Sequence, residues 1–333
     1  MRGSVAVASL AALRGAACAF SGRRAFAAAP SITKVVHFLR HGQAEHNPRA
    51  EAARDAGASF DEFLQLMKED DAFDAALTPL GERQAEETGA TFRARLAGVE
   101  LVVASPLSRA VVTAAIALGV RSRSGIGSVP FMLTKSLRRE LAEAVGLSEA
   151  EIRDIDPAAA HELIAQTRPL RRFVAIESIR ERNGLLRNGK RRSRSALGDM
   201  HPYCDFSLLP DEEDVLWREE ALESEASTRA RAHESLEWIM AQPETDVLCA
   251  AHGGIYSALF ADAKAPEVSW SDSSEGSLVE EDAAACAERG VEVVLAPGLT
   301  ARFGNCELRS CLVVAEHDAR GAMNRIKLKP WRT

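Results

Sequence analysis

The stretch Lys34-Val35-Val36-His37-Phe38-Leu39-Arg40-His41-Gly42 runs from near-continuous apolar residues into a cationic turn. A short apolar run of that kind suits a strand buried on both faces, as in a parallel sheet covered by helices. Four further runs share its character: Leu101–Ala104, Phe173–Ile176, Val247–Ala251 and Cys311–Ala315. Helical patterns fall between them. Thr78-Pro79-Leu80 puts Thr at an N-cap and Pro at the first helical position, and Leu80, Thr88, Phe92 and Leu96 are spaced for one face. Ser105-Pro106 starts a second helix that runs to Gly119, and a third spans about Leu222 to Met240. Strands alternating with helices predict an α/β chain, a three-layer α/β/α arrangement around a mostly parallel central sheet.

The residues just past each strand are more telling than the strands. Arg40-His41 comes after the first run, Ser105 to Arg109 after the second, Arg180-Glu181 after the third and His252-Gly253-Gly254 after the fourth. In open α/β sheets the ligand sits beyond the carboxyl ends of the strands. Such a sheet delivers Arg40, Arg109, His41, His252 and Glu181 to one rim. Guanidiniums beside an imidazole suit a phosphate dianion, which Arg grips in bidentate fashion. A second imidazole can act as nucleophile, and a carboxyl as general acid.

These residues resemble the histidine phosphatases, the phosphoglycerate mutase-like superfamily. Arg40-His41-Gly42 after a strand, with Asn47 downstream, is similar to the superfamily signature. Leu77-Thr78-Pro79-Leu80-Gly81, Ser105-Pro106-Leu107-Ser108-Arg109 with Thr113-Ala114, and Ala251-His252-Gly253 look like its next markers, in order. A narrower resemblance, to the plant and fungal phosphoglycerate mutase-like proteins, covers Ile179-Arg180-Glu181, Lys190-Arg191-Arg192-Ser193, Asp205-Phe206-Ser207, Asp214 to Trp217 and Asn305 to Ser310. The matched stretches are 34–118, 173–263 and 302–316.

The resemblance implies a phosphoglycerate mutase-like fold and a phosphohistidine mechanism without metal or other cofactor. It makes His41 the nucleophile, so one ring nitrogen must be bare and the other should donate its proton, for instance to a backbone carbonyl. Arg40 and Arg109 clamp the phosphoryl oxygens, and Arg109 at a helix start also brings free backbone N–H groups near the anion. His252 holds the phosphate and stabilises the transition state, where Gly253 and Gly254 permit close backbone approach. Asn47 either adds a neutral hydrogen bond to the phosphate or serves a turn. Two carboxyls share the local pattern expected of the general acid, Glu140 and Glu181; Glu181 comes after the better strand and is preferred. The reading preferred is hydrolysis of a small phosphomonoester; the alternatives are mutase-type phosphotransfer and phosphate binding without turnover, as in an adaptor protein.

The chain has 333 residues, 46% apolar and 27% charged, with a net charge of −7. That balance argues against nucleic-acid binding through overall charge, and no apolar run reaches the ~18 residues needed to span a bilayer. The six cysteines have no C-x-x-C spacing and read as buried, reduced thiols. Residues 1–44 contain no Asp or Glu but carry several Arg, Ser and Ala. A leader of about 1–30 therefore reads as an organelle transit peptide, mitochondrial before plastid, with a single domain over 31–333 after it. Residues 120–170, with helical patterns near 137–145 and 148–165, and the acidic stretch 264–290 read as insertions. His37 is expected in the core, and His161, His233 and His317 in solvent. His46 and His201 stand near the mouth of the site without an assigned role. The basic run Lys190 to Arg194 reads as a solvated face.

Overall fold

Val36, Phe38 and Leu39 are fully buried, which is what a strand covered by helices on both faces demands. In the computed structural model the described residues are 31–70, 72–120, 138–139, 141–156, 159–160, 163, 171–261, 291–296, 299, 303–318 and 320–331. The leader 1–30, the stretch 264–290, His161 and Glu140 lie outside them, as does much of 120–170.

The chain order is β1 (Ile32–Arg40), α1 (Asn47–Asp55), α2 (Phe60–Lys68), α3 (Pro79–Thr91), α4 (Arg93–Leu96), β2 (Leu101–Ala104) and α5 (Ser108–Ala117). Then come α6 (Glu149–Asp154), β3 (Arg172–Ala175), α7 (Arg194–Met200), α8 (Glu225–Ala241), β4 (Asp246–Ala251) and α9 (Gly253–Phe260). The final strands are β5 (Glu292–Leu295), β6 (Leu308–His317) and β7 (Met323–Pro330). They form one seven-stranded sheet in the order β3-β2-β4-β1-β6-β7-β5. The first four of that order pair in parallel, and β6 is antiparallel to both β1 and β7.

Alternation along the strands fills two cores. Val36, Phe38, Val103 and Cys249 face α8 and α9. Leu39, Val102, Ala104 and Leu248 pack with Val111, Ala114 and Ala115 of α5 on the other face. The arrangement is α/β with helices on both sides of a mostly parallel sheet, as expected. Thr78 caps α3, accepting from Gly81 N–H, with Pro79 at the first helical position.

Several local expectations are corrected. Leu80 is 40% exposed, because α3 turns Pro79 and Leu80 outward while Gly81, Glu82 and Thr88 face inward. The second helix starts at Ser108, not Ser105, since Leu107 is still extended. The run Cys311–Ala315 belongs to an antiparallel strand. His37 is buried as expected, but His233 and His317 are half-buried. The basic run is not a solvated face. Arg191 is 2% exposed, bonds Glu177 Oε1 at 2.6 Å and donates to the carbonyls of Asp211, Arg192, Glu212 and Glu213. That guanidinium ties together a loop which also contains Asp214, whose carboxylate bonds buried Arg180 at 2.6 Å.

Candidate active site

His41 stands one residue beyond β1. Its N–H donates to Ala251 O at 2.9 Å and its carbonyl accepts from Cys306 N at 3.2 Å, which locks the backbone between β4 and the turn before β6. Ring atom Nδ1 lies 2.7 Å from the carbonyl oxygen of Gly42. A carbonyl only accepts, so Nδ1 carries the proton and Nε2 keeps its lone pair. Burial, then the cations Arg109 and Arg40, hold the His41 pKa well below the ordinary imidazole value. A neutral ring with a bare Nε2 is the state a nitrogen nucleophile requires.

The Gly42 peptide that orients His41 is itself held. Gly42 N–H donates to Thr113 Oγ1 at 3.0 Å, and that hydroxyl donates to Arg109 O at 2.7 Å. A Cβ on Gly42 would stand 2.4 Å from the carbonyl oxygen of Gly81. Glycine here lets the start of α3 press directly on the loop that carries His41.

Arg40 and Arg109, the expected clamp, are each aimed by a backbone carbonyl. Arg40 Nη1 donates to Phe303 O and Arg109 Nη1 to Asn188 O, both at 2.7 Å. Arg109 is 1% exposed, and its Nε has no hydrogen-bond partner among the described residues. Burial lowers its pKa to about 10, against the opposing pull of Glu181 and Asp74, so it stays cationic at neutral pH. The free N–H groups expected at the start of α5 are partly taken. Ser108 N donates to Asp74 Oδ1 at 2.9 Å and Ser108 Oγ to Asp74 Oδ2 at 2.6 Å.

His252 is the N-cap residue of α9, fully buried, with its ring centroid 5.0 Å from that of His41. Burial and Arg109 push its pKa well below the ordinary value as well. Its Nε2 meets Ser105 Oγ at 2.7 Å, and its Nδ1 has no hydrogen-bond partner among the described residues. Glu181 lies against the start of α9, where Oε2 accepts from Gly254 N at 3.0 Å and Oε1 from Ile255 N at 3.1 Å and from Arg182 N at 2.9 Å. A Cβ on Gly254 would come within 2.1 Å of Glu181 Oε1, so glycine makes that approach possible.

Asn47 is buried, and its Oδ1 accepts from Ala44 N at 2.8 Å, which is turn chemistry; its Nδ2 lies 3.3 Å from His46 Nε2. His46 itself is buried, its ring centroid 6.2 Å from that of His41. His201 turns instead to Ser108 Oγ, 3.2 Å away. Arg40, His41, Arg109, Glu181 and His252 thus come from four neighbouring strand ends. Two participants, Thr113 and Asp74, carry no role that the sequence alone assigns. Thr113 sits one helical turn beyond Arg109, a spacing that places both on one side of α5. Asp74 reaches α5 from a distant loop, and nothing local in the sequence signals it.

Residues 36–183 match the histidine phosphatase superfamily (branch 1). The chain is 29% identical over 284 residues to a phosphoglycerate mutase-like protein of Arabidopsis thaliana, covering 84% of each. It is 28% identical over 224 residues to phosphoglycerate mutase-like protein 1 of the same plant, covering 66% of this chain and 68% of the relative. Among solved structures, mycobacterial glucosyl-3-phosphoglycerate phosphatase with VO3 overlays 90% of this chain and 98% of its own, at 19% identity and a TM-score of 0.38.

Proposed function

The chain belongs to the histidine phosphatase superfamily, and from that premise we propose that it is a metal-independent phosphomonoesterase acting through a phosphohistidine on a small phosphorylated substrate. The observation that carries this reading is the state of His41: buried, neutral, its Nδ1 proton committed to Gly42 O and its Nε2 bare among cations.

His41 Nε2 attacks phosphorus, the P–O ester bond breaks, and the phosphoryl group moves to the ring. Arg40 and Arg109 match its oxygens with fixed N–H donors that need no reorganisation during the reaction. The leaving oxygen takes its proton from Glu181. Water then attacks phosphorus and gives a proton to the Glu181 carboxylate; the P–N bond breaks, phosphate leaves and His41 returns to its starting form.

The test is phosphate release from phosphomonoesters, with and without EDTA, beside His41→Ala. EDTA-resistant release that disappears in the variant is expected. Activity surviving in His41→Ala would sink the mechanism. Isomerisation of 2- and 3-phosphoglycerate without phosphate release would replace hydrolysis by mutase chemistry. Anion binding with no turnover of any ester would make this a binding protein.

A further inference from the structure

We propose that Ser105 is a positioning residue that sets which ring nitrogen of His252 carries the proton, and so makes His252 a phosphoryl-oxygen donor. The inference rests on the phosphatase reading of the site and concerns a residue that contacts no substrate itself.

Ser105 comes directly after β2, fully buried, its own N–H donating to Ala250 O on β4 at 2.9 Å. Its hydroxyl oxygen accepts from Leu107 N at 3.3 Å and lies 2.7 Å from His252 Nε2. Were Nε2 the protonated atom, Ser105 Oγ would accept twice and its own hydrogen would need another acceptor. Among the described residues no hydrogen bond supplies one, and a buried donor left without an acceptor is costly. The serine hydroxyl therefore donates to Nε2. In a neutral imidazole that leaves the proton on Nδ1, the buried atom without a partner, on the ring that faces His41.

The consequence is a matter of sign. With the proton on Nδ1, His252 presents an N–H to a phosphoryl oxygen and strengthens as charge develops there. With the proton on Nε2, the same ring presents a lone pair and repels that oxygen. The buried neutral state lowers the cost of carrying His252 beside two arginines, but it makes the choice of tautomer decisive.

The experiment reads the tautomer without substrate, by long-range 1H–15N correlation on the 15N-labelled full chain, with His252→Gln identifying the signals. The wild type should show Nδ1–H. Ser105→Ala should transfer population to Nε2–H and lower kcat/KM for p-nitrophenyl phosphate by about 10²-fold, the scale of one lost transition-state donor. Ser105→Thr, which keeps the hydroxyl, should restore both. An Nε2–H tautomer in the wild type overturns the inference by itself, whether or not Ser105→Ala folds. A Ser105→Ala variant with unchanged tautomer, or with shifted tautomer and unchanged kcat/KM, also overturns it. Failure of the phosphohistidine reading is a separate result: His41→Ala would then hydrolyse esters while the His252 tautomer stayed as stated.

Discussion

His41 and His252 share one physical circumstance, burial beside Arg109, and both are held well below the imidazole reference of 6.5. The sign for activity depends on which form works. A nucleophilic His41 must be neutral, and it stays neutral as pH falls through 6.5. After correction for the ester's own ionisation, kcat/KM should therefore show no acid limb centred at or above 6.5; that parameter reports groups of the free enzyme. A limb centred at or above 6.5 would show that the nucleophile is not kept neutral. The sign for stability is the same. Below about 6.5 the unfolded chain takes up protons on these two rings that the folded chain does not, so the fold loses stability as pH falls. At this scale the sequence is legible where a residue's place is set by its own neighbourhood, as for Arg40, His41, Arg109 and His252 just past strand ends. It is not legible where the role is set by a distant partner. Ser105 reads locally as the start of a helix, and the partner of its hydroxyl is His252, far along the chain. Arg191 reads as one cation in a solvated run, and the carbonyls of the 211–213 loop make it an internal tie.

The start of α9 is the element on which Glu181, the proposed general acid, depends. Three backbone N–H groups hold the Glu181 carboxylate, two of them from the first turn of that helix, where unpaired donors and the dipole favour an anion. Gly254→Ala tests the arrangement. The added Cβ would fall 2.1 Å from Glu181 Oε1, the free end of a flexible side chain, so the carboxylate moves and the helix stays. The fold should survive while catalysis falls in the same manner as in Glu181→Gln, about 10²–10⁴-fold for an alkyl phosphate, the usual worth of an acid–base group. p-Nitrophenyl phosphate, whose leaving group scarcely needs a proton, should lose much less. Equal losses on both esters would remove Glu181 from the acid role. The parallel strands are legible because each is a short apolar run that ends in charge. β7 is not, because Ile326 and Leu328 alternate with Arg325, Lys327 and Lys329 on a half-covered antiparallel strand. The four residues of β5 carry too little pattern to separate from a loop.

Across the whole molecule, one sheet joins residues from Ile32 to Pro330, and its carboxyl-end rim gathers two arginines and two imidazoles in or beside the interior. Holding Arg109 there opposes folding, because the guanidinium loses its water and the carbonyl at Nη1 with the pull of Glu181 and Asp74 only partly replaces it. An anion that binds only the folded chain offsets that cost by mass action. Inorganic phosphate at a hundred times its Kd should add about 2.7 kcal/mol to the stability of the wild type, several degrees in Tm for a protein of this size. Arg109→Met keeps much of the side-chain volume and removes the buried charge. Its Tm without phosphate should equal or exceed that of the wild type, since the burial cost of the guanidinium outweighs the pull of Glu181 and Asp74. Its response to phosphate should be nearly abolished, because the clamp has lost one arm. Differential scanning calorimetry of both chains, with sodium chloride matching ionic strength, separates this from general salt effects. An equal phosphate shift in both would place the stabilising anion elsewhere, and a large fall in Tm for unliganded Arg109→Met would show that the buried guanidinium holds the fold rather than the ligand.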